Sequence, residues 1–285
     1  MGSTPPFHPE EPGYSPEILP PEPEAAGPPL RARRSWWAVA PATYLLIGIN
    51  CAVFVLMALK GISPLNPDPD QLMRWGANHA LAVLQYGEWW RILTAMFVHV
   101  GIVHLGMNMW CLWTLGLLAE PLMGSFGVIA VYLLTGAAGN LLSIAHNYMW
   151  PIHDSGFTVY PVGAGASGAV FGIAGALIIL LKSPRLPVPV NELRKLRRSV
   201  IIFAAINLVI PIAVNSGAKA LHAGLQIDYM AHIGGCASGL LFAVPMVPRI
   251  GSPRNLFSTR LRMAIGIVTG VLVLFAYFLA QLPRG

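Results

Sequence analysis

The chain has 285 residues, 55% of them hydrophobic and only 11% charged, with a mean hydropathy of +0.61. A soluble domain carries about 25% charged residues because its surface faces water. This composition excludes an ordinary cytosolic enzyme and a disordered regulator, and it points to a polytopic membrane protein. The net charge of +6 carries no nucleic-acid signature, because the basic residues fall between apolar runs and form no helical stripe with interleaved aromatics. The expected surroundings are the lipid bilayer, with no nucleic-acid partner.

Residues 1–40 read as a disordered, proline-rich tail: ten of the 25 prolines and five of the 12 acids precede Leu30. Such a segment buries too little apolar surface to offset its ordering entropy. It lacks the basic start and apolar core of a signal peptide, and its acids argue against a transit peptide. Seven apolar spans follow, at about Tyr44–Leu59, Val103–Ala119, Phe126–Ala145, Ala166–Leu181, Val200–Val214, Tyr229–Val247 and Met263–Leu282. Several fall short of the ~20 residues that cross a bilayer, so their ends are expected to run into the flanking polar residues. Asn207 and Pro211 interrupt the fifth.

Thirteen of the 18 basic residues fall before span one, between spans four and five, and between spans six and seven. The positive-inside rule then places the N-terminus in the cytoplasm and the C-terminus outside. The long loop from Lys60 to Ile102 lies on the outer side and carries Trp75, Trp89, Trp90 and Arg91. Its aromatics and its apolar stretches predict a partly embedded interfacial loop. Cys51, Cys111 and Cys236 all sit inside apolar runs and read as packing residues.

Polar residues within spans are costly and mark candidate functional sites. His99, His104 and Asn108 lie in HVGIVHLGMNMW, Ser167 in the GASG that opens span four, and His232 in the AHIGG of span six. With the N-terminus inside, spans two, four and six all run from outside to inside. Asn108, Ser167 and His232 then share one shallow depth, and His104 shares a helical face with Asn108. Gly168 and Gly172, and likewise Gly235 and Gly239, are spaced to let helix backbones approach closely.

A serine at a helix N-terminus beside a histidine is a plausible nucleophile and general base. The oxyanion would be met by Asn108 together with His104 or a backbone N–H. Asp228 either orients His232 or caps span six; the second reading gives a dyad. No other intramembrane Asp or Glu is expected.

GASG, AHIGG with Gly239, the HVGIVHLGMN segment and the WWR at Trp89–Arg91 together resemble the rhomboid family of intramembrane serine proteases, over about Tyr44–Pro248. The resemblance implies an all-α membrane bundle with a six-helix core at residues 41–248, to which residues 249–285 add a loop and a seventh helix. It also implies hydrolysis of transmembrane protein substrates, with no cofactor and no metal. Ser167 is then the nucleophile and His232 the base, with His104, Asn108 and the Ser167 amide forming the oxyanion hole. Phe171 replaces a tyrosine that often stacks under the histidine, and its ring retains the stacking face. His99 matches a family histidine with a structural part in holding the outer loop.

A transporter or channel would also place polar residues in spans, but no internal repeat is visible and the polar groups cluster near one surface. A metalloprotease would need HExxH, which is absent. Retention of Ser167 and His232 argues against a catalytically dead binder of membrane segments. Span five is expected to gate access from the lipid, and the loop after it to cap the aqueous side.

Overall fold

The computed structural model describes Gly2 and residues 40–154, 156–183, 186, 188–220, 228–246 and 253–282, with 154 and 211–220 described through their backbone only. The proline-rich tail with Arg31–Arg34, His222 and the loop around it, Arg185 and Arg249 lie outside the described residues.

Helix α1 (Pro41–Leu59) begins with proline at its first position, where a missing N–H costs nothing. Ala40 supplies no side-chain cap. The cap comes instead from Glu120, far along the chain: its two carboxylate oxygens accept the Ala42 and Thr43 N–H groups at 2.9 Å each, and one also accepts the Thr43 hydroxyl at 2.7 Å. Glu120 is 3% exposed and lies within a helix. The expectation that no Asp or Glu other than Asp228 lies within the bundle is thereby corrected. A carboxylate is tolerated there because three donors meet it.

The outer loop is a folded unit. It contains α2 (Pro69–Arg74), capped by an Asp68–Gln71 capping box, then α3 (Ala80–Leu84), α4 (Arg91–Thr94) and a 3-10 turn at Ala95–Phe97. Arg91 is buried at its centre, donating to the Met73 and Ala77 carbonyls, pairing with Glu88 and lying over the Trp90 ring. Leu72, Ala77 and Val98 pack on Met57 and Ile62 of the α1 end, and Val83 and Leu84 pack on Leu141 and Ile144.

Helix α5 (Ile102–Met149) holds the second and third spans in one run, broken at Gly124, whose φ of 73° and ψ of 165° only glycine adopts easily. Ile102 donates to Pro64, while Asn140 donates to Ile92 and accepts from Asn78. Both the start of the first arm and the late part of the second are thus tied to the same outer loop, so the second arm returns toward the level the first left. A short antiparallel hairpin follows, β1 (Ile152–Asp154) with β2 (Phe157–Val159), Gly156 turning at φ 86°.

Helices α6 (Ser167–Leu180), α7 (Val190–Ala220), α8 (Tyr229–Ala243) and α9 (Arg254–Ala280) complete the bundle. Among the described residues they make seven spans with α1 and the two arms of α5, an all-α membrane bundle with a six-helix core and an added C-terminal helix. Two boundaries differ from expectation. Helix α7 starts at Val190 and α9 at Arg254, about ten residues before their apolar runs, because Leu, Lys, Arg and Glu are good helix formers and continue the helix beyond the hydrophobic stretch. The α7 backbone also stays helical through Asn207 and Pro211.

The core is densest where α6 meets α8 and the second arm of α5. A Cβ on Gly235 would strike the Gly168 carbonyl, one on Gly239 the Gly172 carbonyl, and one on Gly175 the Cys236 carbonyl. Gly139 of α5 faces the Ala231 carbonyl at 2.5 Å from a Cβ position. Three backbones therefore touch, and only glycine fits at the contacts.

Candidate active site

Ser167 is the first residue of α6, and the segment leading into it is held by backbone and imidazole bonds. Gly163 and Asn78 exchange two hydrogen bonds, at 2.7 and 2.8 Å, and the Gly165 N–H donates to Ala95 at 3.0 Å. The Ala166 N–H donates to Nε2 of His99 at 3.4 Å. His99 is fully buried, so its place is to anchor the residue immediately before Ser167 to the end of the outer loop. The first N–H groups of a helix have no intrahelical acceptor, so the α6 start presents donors and the positive end of its dipole beside the Ser167 hydroxyl.

Two further residues come from the first arm of α5. The His104 ring lies against Gly165, where a Cβ would sit 2.6 Å from its Cε1 atom, and Gly165 has φ of 137°. Gly165 is therefore doubly required, for its backbone conformation and for the imidazole's approach. The His104 and His99 rings are 5.4 Å apart. Asn108, 6% exposed, donates from Nδ2 to the His104 carbonyl at 3.0 Å, which holds its amide on the His104 face of the helix.

His232 comes from α8. A Cβ on Gly168 would lie 3.2 Å from the Ala231 carbonyl, so the residues just before Gly168 and just after Ala231, Ser167 and His232, stand at the same level of the seam. The His232 ring is 7% exposed and stacks flat on Phe171, with centroids 4.3 Å apart and planes 7° from parallel. Phe171 is one turn beyond Ser167 on the same face of α6. The imidazole thus stands on the serine's side of α6. Nδ1 of His99, His104 and His232 are all buried without a hydrogen-bond partner among the described residues.

Asp228 caps α8, one carboxylate oxygen accepting from Ala231 N–H at 3.0 Å and the other from the Ser143 hydroxyl at 2.5 Å. Both oxygens are engaged away from the His232 ring. Sequence reasoning missed Gly165 and Gly139 as sites of close approach. Their local signals, the first glycine of GASG and a Gly-Ala-Ala-Gly run in span three, can be read as close approaches only once the facing residues are known.

A Rhomboid domain model matches residues 86–249. The chain is 32% identical to Rhomboid protease GluP of Bacillus subtilis over 237 residues, covering 83% of this chain and 40% of that protein. It is 31% identical to Rhomboid protease AarA of Providencia stuartii over 262 residues, covering 87% of this chain and 86% of that protein. Against the mitochondrial RHOMBOID-like protein 6 of Arabidopsis thaliana it is 32% identical over 189 residues, 66% of this chain and 54% of the other. The chain spans well under two thirds of the length of the first and third of these relatives. The matched region contains Ser167, His232 and the glycine seam between their helices, with Ala95 and His99 of the anchoring loop, and the chain belongs to the rhomboid family of intramembrane serine proteases.

Proposed function

We propose that this chain cleaves peptide bonds in or near transmembrane segments of other membrane proteins, with Ser167 as nucleophile and His232 as general base. His232 takes the hydroxyl proton as Ser167 Oγ attacks the scissile carbonyl. It then returns a proton to the leaving amine as the C–N bond breaks, and water hydrolyses the acyl-enzyme by the same exchange. The oxyanion is met by the Ser167 N–H with Asn108 and His104, donors already placed before charge develops. Phe171 supports the imidazole from below. Neither metal nor cofactor enters the reaction.

The observation that carries this reading is the glycine seam between α6 and α8, which sets Ser167 and His232 level and lays His232 on Phe171. Gly168, Gly172, Gly235 and Gly239 serve the reaction by allowing that approach. The distribution of basic residues supports an N-terminus in the cytoplasm and a C-terminus outside, in a bacterial inner membrane, with the site below the outer surface. In this reading residues 1–40 are a cytoplasmic tail, 41–248 the protease core, and 249–285 a loop with an appended helix. Lateral access runs past α7.

The test is cleavage of a single-span substrate in liposomes by the wild type, Ser167→Ala and His232→Ala. The wild type cuts near the outer face, and either change lowers the rate on the order of 10⁴-fold or more. Undiminished cleavage by Ser167→Ala overturns the assignment.

A further inference from the structure

A serine–histidine pair without an orienting carboxylate needs some other group to fix the imidazole, and Asp228 is engaged with Ala231 and Ser143. Phe171 supplies one support. On its other side Phe171 meets α7, whose described residues are largely exposed.

Val200, Phe203, Ala204 and Asn207 recur at three- and four-residue spacing on the inward face of α7, while Ile202, Ile206 and Val209 are exposed. The Phe203 ring lies 6.3 Å from Phe171, tilted by 35°, a spacing at which aromatic pairs attract. Phe171 therefore touches α7 on one side and the His232 ring on another.

We propose that Phe203 is a positioning residue for His232: it holds Phe171 from the α7 side and so sets the plane of the imidazole stacked on Phe171. The inference rests on the reading of Ser167 and His232 as the reacting pair. Its consequence is a coupling: the helix that borders lateral access also holds the general base, so a displaced α7 leaves His232 unsupported.

The experiment measures kcat and KM for a single-span substrate in liposomes, kcat for a soluble peptide, and the rate at which a fluorophosphonate labels Ser167. Phe203→Ala lowers kcat for both substrates and the labelling rate about tenfold or more, the cost of a misplaced catalytic group, with KM little changed. Phe203→Tyr, which keeps the ring, restores the rates. Phe203→Leu, which fills the space without an aromatic face, lowers the same rates while Tm stays near the wild-type value; a loss through damaged packing would lower Tm instead. Ile206→Ala, on the exposed face, leaves all rates unchanged. Wild-type kcat and labelling in both Phe203→Ala and Phe203→Leu overturn the proposal, as does a change confined to KM for the membrane substrate. A wild type that is not labelled at Ser167 defeats the underlying reading instead, and the two failures are distinct.

Discussion

Helices α6 and α7 follow one another in sequence but are held in opposite ways. Nearly every residue of α6 is buried, and its glycines meet the backbones of α8 and the side chain of Thr135. Helix α7 presents Ile202, Ile206, Val209 and Ile210 at 46–61% exposure, and it reaches α6 through Phe203 and through Arg197, which donates to the Ile178 carbonyl at 3.0 Å. In lipid there is no hydrophobic drive to pull apolar helices together, so close backbone packing and polar ties decide which helices are firmly held. The contrast teaches that this bundle confines rigidity to the helices that carry Ser167 and His232. It leaves the neighbouring helix less closely packed, as the proposed lateral access past α7 requires.

The sharpest way to break that contrast is to add bulk to each helix in turn. Gly235→Leu drives a side chain into the Gly168 carbonyl, and even one extra methyl in such a seam costs about 1–3 kcal/mol. The variant is expected to lose both folded yield on size exclusion and all proteolysis, whereas Ile206→Phe on α7 stays within about 0.5 kcal/mol of wild type. A stable, active Gly235→Leu would show that the seam is not rigid.

Next in size is Glu120→Ala, which strips the acceptor from two buried N–H groups and one hydroxyl, each orphan costing about 1–3 kcal/mol. Thermal unfolding should fall clearly, and less so for Glu120→Gln, because the cap of α1 belongs to the rigid part of the molecule. A tether between cysteines placed on α7 and the first arm of α5 acts on function alone. Cleavage of a single-span substrate drops while that of a soluble peptide persists, and equal rates for the tethered and free forms would refute access past α7.

The smallest expected effect lies in the outer loop. His79 caps α3 by accepting the Ala82 N–H on Nδ1, which requires the neutral ring. Burial first, then the Arg91 charge, hold its pKa below 6.5, against an opposing hydrogen bond to the Tyr160 backbone. The folded loop therefore binds the proton less readily than the unfolded chain. Its stabilisation is complete above about 6.5 and declines as the pH falls below that value. Hydrogen exchange at Val83 and Leu84 should quicken modestly in that window, and His79→Asn, which caps without titrating, should flatten the dependence.

Much of the site was legible because its chemistry is local in sequence. GASG places a serine at a helix start, AHIGG places a histidine among small residues, and four-residue spacing puts His104 and Asn108 on one face. The seven spans were legible because lipid admits only satisfied backbones and apolar faces. The starts of α7 and α9 were not, since hydropathy ends where NELRKLRR and RNLFSTRLR begin while helical hydrogen bonding continues. Glu120 was passed over because nothing near it signals a partner: the N–H groups it accepts belong to Ala42 and Thr43, more than seventy residues away. The hold of His99 on Ala166 was hidden for the same reason.

The amino-acid sequence by itself determined the solvent of this protein, the number of its apolar spans and the kind of chemistry its polar residues could perform, because these follow from composition, period and residue type along the chain. Only the tertiary structure decided that Gly235 would meet the Gly168 carbonyl, that Phe171 would lie under His232, and that Asp228 would turn to Ser143. Those outcomes depend on which distant segments share a contact, and contact distances of a few ångströms are set by the packing of the whole bundle.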